Sequence, residues 1–422
     1  MIREKIKNGI VVFDGAFGTE LQKRGLKPGE HPEEWNITHK DEVIDVHKSY
    51  ILAGADVINA NTFGANRLNF GDRTEEIITS AVKNAKEAVR QSGKDCFVTL
   101  DIGSLGRLLK PTGDLDFEDA VDIFKDVVIH GKNAGADLIL IETMTDSLET
   151  KAAVLAAKEN SDLPVFVSNA YDESERLLSG TDAEAMVAML EGMGADAVGV
   201  NCSLGPKQLR GVVEELLENA SIPVILKPNA GLPKQKNGKT YFDVQPDAFA
   251  EAVKALVEKG ACIVGGCCGT TPEHLREMIN VCKEIDVILP VEKNHTLVSS
   301  YGMTVELGEM PIVIGERINP TGKKALQAEL REGKLDMVRR FAMEQEAAGA
   351  ALLDINMGMN GIDEMAMTKE VIYEVRLKND SVLVEELEKI NAKKGIPWLK
   401  IILALIPILF VVIFFLAYFN GI

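Results

Sequence analysis

Eight short apolar runs, each followed by an amphipathic stretch, succeed one another over residues 1–290. They are Ile10–Asp14, Val57–Ala60, Phe97–Asp101, Leu138–Glu142, Val165–Ser168, Ala197–Val200, Val224–Lys227 and Cys262–Gly265. The runs are continuous rather than alternating, the pattern of parallel strands covered on both faces. Between them, Thr74–Gln91, Glu118–Asn133 and Pro246–Lys259 carry apolar residues at helical spacing, as expected of an outer ring of helices. Asp182, Pro206 and Pro272 stand where helix starts are expected. Small-residue turns recur before strands, as Ala-Gly-Ala-Asp before the second and fourth and Met-Gly-Ala-Asp before the sixth. A glycine just past a helix is ordinary chemistry for such turns. Eight strand–helix units predict a (β/α)8 TIM barrel in the α/β class. An open doubly wound sheet is the alternative, and the regularity of the units favours closure.

The remaining chain divides by composition. Residues 291–311 read as a linker with little core of its own. Residues 312–375 repeat the pattern once, with Ile312–Ile314, a helix near Leu326–Ala348, and Leu352–Ile355. This is a partial βαβ segment with too few strands to close a barrel. Residues 376–398 form a charged linker. Residues 399–419 predict one C-terminal transmembrane helix, because Ile401–Phe419 contains no charged side chain. Nineteen helical residues reach roughly 28 Å, close to a bilayer core of about 30 Å. Trp398 and Tyr418 stand at its ends, and Lys389, Lys393, Lys394 and Lys400 precede it. By the positive-inside rule these lysines place the upstream domain in the cytoplasm, tethered to the membrane. A buried core helix is the other reading of the run.

Composition removes several classes. A net charge of −18 with no basic stripe argues against nucleic acid. Six cysteines in 422 residues are too sparse for a disulfide scaffold. The start, MIREKIKNG, lacks the apolar centre of a secretory signal.

In such a barrel the chemistry lies where the strands end. Cys202 follows the sixth strand, and Cys267 and Cys268 follow the eighth. Three thiolates with a fourth position open are the donor set of a reactive zinc site. Neighbouring strand side chains point oppositely, and Gly265, Gly266 and Gly269 allow the turn that brings both sulfurs to one metal. Inert buried cysteines or a vicinal disulfide are the other readings. Cys96, Cys262 and Cys282 lie away from strand ends and read as inert. Asp14 and Glu142 end the first and fourth strands, where they can hold a cationic amine or simply cap a turn. Asp101 is a similar, weaker candidate. None of the six histidines lies at a strand end, which disfavours a His-based site.

The strings DGAFGTEL, NTFGAN, VGVNCSLGP, KPNAG and GGCCGT, taken together and in this order, resemble the homocysteine-binding module of cobalamin-dependent methionine synthase. Betaine–homocysteine and S-methylmethionine–homocysteine methyltransferases share that barrel. The following VIGERINPTGKKAL and LLDINMG resemble the start of a pterin-binding domain. The resemblance implies a zinc-dependent homocysteine S-methyltransferase, with Cys202, Cys267 and Cys268 as zinc ligands. It implies Asp14 and Glu142 at the homocysteine amino group, with Gly15 and Thr62 against the substrate. Asn319, Asp354 and Asn356 match polar strand-end positions of the pterin domain. No Asp-x-His-x-x-Gly corrinoid motif is present. Methylcobalamin on a separate corrinoid protein is therefore the expected methyl donor, and the tetrahydrofolate site is expected to be incomplete. Other readings are a stand-alone enzyme using S-methylmethionine or betaine, an inactive membrane-anchored remnant, and a thiol redox protein. The last is weakened by the lack of a Cys-x-x-Cys motif.

Overall fold

The computed structural model describes residues 2–236, 239–308 and 310–375. All eight expected runs form strands: β1 Val11–Val12, β2 Val57–Asn59, β3 Phe97–Ile102, β4 Leu138–Met144, β5 Val165–Asn169, β6 Ala197–Asn201, β7 Val224–Lys227 and β8 Ile263–Val264. They make one eight-stranded sheet in the order β1-β8-β7-β6-β5-β4-β3-β2, parallel at every pairing described. A parallel bridge between Phe13 and Val57 joins its two ends into a barrel.

The recurrent Gly-Ala-Asp turn has two parts. Gly54 and Gly135 end their helices with φ of 115° and 95°, a conformation that costs a residue with a side chain about 1–2 kcal/mol. The aspartate then latches the neighbouring strand. Asp56 Oδ2 accepts from Val12 N at 2.9 Å, Asp137 Oδ2 from Val98 N at 2.7 Å, and Asp196 Oδ2 from Val165 N at 2.9 Å. Each carboxylate satisfies a strand-entry amide, so the repeat fixes strand register as well as direction.

Two apolar cores follow from strand alternation. Val12, Ile58, Leu100, Ile139, Val167, Val198 and Leu226 face outward and pack under the helices. Val11, Phe13, Val57, Leu138, Leu140, Phe166, Ala197, Ile225 and Ile263 face inward, joined by Ile2 and Ile6 of the helix Ile2–Asn8. Asp182 caps the helix Ala183–Gly192 by accepting from Ala185 N, and Pro272 opens the helix Pro272–Cys282. Pro206 does not start a helix. The next one begins at Arg210, after a turn.

A second compact unit includes residues 305–375. Ile314–Ile318 pairs in parallel with Leu352–Ile355. The single helix expected near Leu326–Ala348 is two, Lys324–Arg331 and Asp336–Ala347. Gly333, at φ 68°, turns the chain between them. Ile318, Leu326, Leu330, Val338, Phe341, Met357 and Val371 form this unit's own core.

The transmembrane helix is corrected. No helix of the described residues is long and apolar enough to cross a membrane. The long helices are amphipathic: Thr74–Ser92 carries Glu75, Glu76, Lys83, Lys86, Glu87 and Arg90. Charges at that density exclude a helix from hydrocarbon. The expected membrane tether loses its structural support with this finding. Residues 376–398 and 399–419, the expected linker and span, lie outside the described residues.

Candidate active site

The inward faces of the strands change from apolar to polar towards their C-terminal ends. Above the inner core, the same faces carry Asn59 on β2, Asp101 on β3, Glu142 on β4, Ser168 on β5, Asn201 on β6 and Lys227 on β7. All six are buried. Buried polar groups of this density must find partners or receive a ligand.

Lys227 and Glu142 find each other. Lys227 Nζ donates to Glu142 Oε2 at 2.5 Å, with the two residues 1% and 7% exposed. The ammonium also stands 5.3 Å from the centroid of the Phe13 ring. Gly265 leaves space for the lysine stem, since a Cβ there would fall 3.2 Å from Lys227 Cγ and 2.9 Å from Phe13 Cβ. Burial pulls the Lys227 pKa down, but Glu142, Asp14 and Asp101 together hold it above its ordinary value. Asp14 Oδ2 accepts from Asn59 N at 2.8 Å. Burial pushes the Asp14 carboxyl up to about 7 against the pull of Lys227. Burial also raises Asp101 well above the carboxylate range, aided by Glu142, and raises Glu142 itself. Three acids and one ammonium therefore share one desolvated field.

The three predicted cysteines meet beside it. The sulfurs of Cys202, Cys267 and Cys268 all lie within 4.8 Å of one another. Cys202 Sγ is 3.9 Å from Cys268 Sγ, and all three cysteines are free thiols. Cys202 follows β6 with a left-handed backbone, φ 59°, and Ser203 continues at φ 51°. That conformation is uncommon outside glycine and asparagine. Two backbone bonds tie the strand ends together: Cys202 N donates to Lys227 O at 3.1 Å, and Cys267 N to Pro228 O at 2.8 Å. Thr270 Oγ1 donates to Cys267 O at 2.7 Å. Hydrogen bonds from Cys267 and Cys268 hold the Cys202 thiol well below its ordinary range. The same bonding pushes Cys267 up to about 12 and Cys268 well above its usual value. The cluster thus favours one thiolate, and a cation placed among the sulfurs would favour more. Among the described residues this is the one group of metal-capable side chains so assembled.

Asn201 connects the two clusters. Its Oδ1 accepts from Thr143 N and from Ser168 Oγ, each at 2.8 Å. Its Nδ2 donates to Thr143 Oγ1 at 2.7 Å and lies 3.9 Å from Cys267 Sγ. Neither Asn201 nor Lys227 was singled out in the sequence. The signal was present, since both are polar residues closing apolar runs on the inward-facing parity. Gly15 lies in tight quarters, where a Cβ would come 2.7 Å from Thr270 Oγ1 and 2.9 Å from the Tyr50 ring. Thr62 is buried, and its hydroxyl is engaged by the backbone, donating to Asp101 O at 2.8 Å and accepting from Asp101 N at 3.1 Å. In the second unit, Asn319 and Asn356 follow its two paired strands, and each folds its Oδ1 onto an amide two residues on, at 2.9 Å. Asp354 is exposed on the second of those strands.

Fold and site define a class: a barrel enzyme with a metal-capable thiol cluster beside buried carboxylates at the strand ends. The family model for homocysteine S-methyltransferase matches residues 11–282. The chain belongs to the homocysteine S-methyltransferase family, a family of methyl-transferring enzymes. It is 32% identical over 393 residues to a methionine synthase of Mycobacterium leprae (strain TN), covering 86% of this chain and 32% of that protein. It is 32% identical over 397 residues to the methionine synthase of Mycobacterium tuberculosis (strain ATCC 25618 / H37Rv), covering 89% and 33%. The chain thus spans about a third of the length of these relatives. Its fold is similar to that of the homocysteine methyltransferase MmuM from Escherichia coli. The metallated form of that enzyme aligns with a TM-score of 0.56 at 22% identity, over 64% of this chain and 96% of that one.

Proposed function

We propose that the chain is a zinc-dependent homocysteine S-methyltransferase acting as the homocysteine module of a methionine synthase. The observation that carries this reading is the convergence of three thiols from β6 and β8 beside a buried carboxylate cluster. Cys202, Cys267 and Cys268 would hold the zinc, and their all-sulfur donor set suits it. Zinc, when bound, acts as a Lewis acid that lets a substrate thiol ionise near neutral pH, where a free aliphatic thiol is mostly protonated.

The chain's own residues supply orientation. Asp14, Asp101 and Glu142 form an acidic field suited to the ammonium of an amino acid. Asn201, locked by Thr143 and Ser168, fixes β4, β5 and β6 relative to Cys267. The apolar inner core below closes the floor and keeps water from approaching from beneath. The methyl donor in this reading is methylcobalamin carried by a separate corrinoid protein. The match to two methionine synthases over most of the chain supports the methionine-synthase part of this reading.

The test is an assay of the full chain for homocysteine methylation, with methylcobalamin and S-methylmethionine in parallel. Turnover with methylcobalamin and bound zinc supports the reading. Turnover on S-methylmethionine alone replaces the donor, and zinc without turnover on either overturns the activity.

A further inference from the structure

The two chain neighbours of Cys202 are each held by a different loop of the barrel mouth. Asn201, before it, accepts from Thr143 N at 2.8 Å and donates to Thr143 Oγ1 at 2.7 Å, at the end of β4. Ser203, after it, donates Oγ to Tyr171 O at 2.6 Å, in the loop after β5. Thr143, Cys202 and Ser203 all have left-handed backbones, with φ of 60°, 59° and 51°. Residues with side chains keep such a conformation where the surroundings over-determine it.

One further element grips both loops. The turn Ser299–Thr304 lies in the stretch that composition marks as a linker, yet it belongs to the compact unit of the barrel. Ser300 N closes the turn on Met303 O at 2.8 Å. Tyr301, half-buried, reaches in two directions. Its hydroxyl donates to Asp146 Oδ2 at 3.1 Å, in the loop after β4. Its carbonyl accepts from Thr181 Oγ1, in the loop after β5. Both partners are firmly seated. Asp146 Oδ1 accepts from Leu148 N at 2.7 Å and Glu149 N at 2.9 Å, capping the helix Ser147–Asn160. Thr181 is 1% exposed, and its carbonyl accepts from Leu177 N at 2.9 Å. Asp172 N donates to Arg176 O at 2.9 Å, which braces the same loop back towards Tyr171.

We infer that Tyr301 is a positioning residue that fixes the turn bearing Cys202. It clamps the loops after β4 and β5 together, and those loops hold Asn201 and Ser203 on either side of the cysteine. The inference goes beyond the zinc reading above and rests on it only for what the thiol cluster holds. The presumed linker is then a working part of the site, although none of its side chains is a candidate ligand.

The test is amide hydrogen exchange on the metal-free full chain, followed by release of zinc from the loaded chain to a chelator. Tyr301→Ala is expected to speed exchange at residues 142–146 and 200–204 by about tenfold or more, with residues 97–102 of β3 within about threefold of wild type. It is expected to release zinc about fivefold faster, as for other groups that orient metal ligands from a distance. Tyr301→Phe, which loses only the bond to Asp146, is expected to fall between wild type and Tyr301→Ala, and it carries the test should Tyr301→Ala fail to fold. Lys293 ties the approach to the turn elsewhere, through its N to Ser221 Oγ at 3.0 Å and its Nζ to Leu217 O at 3.1 Å. Lys293→Met is therefore expected to leave both readouts within about twofold of wild type. Unchanged exchange in the Tyr301 variants overturns the inference, as does faster exchange with unchanged zinc release. Equal acceleration in Lys293→Met also overturns it, because general loosening would then account for the effect. Wild type without zinc removes the zinc reading, and exchange in the metal-free chain then decides by itself whether Tyr301 fixes the turn.

Discussion

Lys227 and Glu142 form a buried ion pair between β7 and β4, across the mouth of the barrel, at 2.5 Å. The pair is the reason that three acids can coexist in one desolvated space. A lone buried carboxylate gives up its charge, and three together do so more readily. The lysine supplies the one fixed positive charge within that layer.

Removing that charge is therefore predicted to be expensive. Lys227→Met leaves Glu142 without its counter-ion, and breaking a buried pair typically costs about 3–5 kcal/mol. Urea unfolding at pH 8 should show a loss of that order. The loss should shrink at pH 5, where the carboxyls take up protons. A loss below about 1 kcal/mol at pH 8 would show that the pair is dispensable.

Asp14 makes stability pH-dependent in a definite direction. Its carboxyl is pushed up to about 7 in the folded protein by burial, from 3.8 in an ordinary setting. The folded state then binds the proton more tightly than the unfolded one. The contribution is fully present below about pH 4 and is lost as pH rises towards 7, with about 1.4 kcal/mol for each unit. Glu149, buried against Leu105 N and Ser104 Oγ and also raised to about 7, acts in the same sense. Unfolding free energies at pH 4.5 and 7.5 should differ less in Asp14→Asn than in wild type. An equal difference in both would remove Asp14 from the account.

Asn201 is predicted to matter to both clusters. Asn201→Ala strips partners from Thr143 N and Ser168 Oγ, each at about 1–3 kcal/mol when left unsatisfied. It also frees the end of β6 that carries Cys202. The variant should be destabilised and should yield zinc to a chelator faster than wild type. Unchanged stability and unchanged metal release would show that Asn201 is a bystander.

The cysteines outside the cluster give a selective control. Cys96 is partly buried before β3, and burial pushes its thiol up to about 12. Cys96→Ser should leave metal content and methyl transfer as in wild type, whereas Cys268→Ala should lose both. Loss of metal in Cys96→Ser would mean that the cluster is not the site.

The barrel was legible because its strands are buried on both faces, which writes each one as an unbroken apolar run such as Leu138–Ile141. The thiol cluster was legible because its members fall just past two such runs. What the sequence hid was pairing across the barrel. Lys227 and Glu142 are 85 positions apart, and nothing local couples them. The Gly-Ala-Asp repeat was legible as a turn, but its aspartates act on amides of neighbouring strands, which only strand pairing, and for Asp56 and Val12 the closure between β1 and β2, brings near. In the second unit, the spacing across Leu326–Ala348 suits one helix, and Gly333 breaks it in two. The apolar run at 399–419 met the length rule for a span, and the described helices offer no such element.

The most direct test of the account is the zinc content of the purified full chain and of its Cys202→Ala variant, read beside their circular dichroism. The account predicts about one zinc per chain in wild type and a folded variant with almost none. A wild-type chain without zinc, or a Cys202→Ala variant that keeps it, would contradict the account.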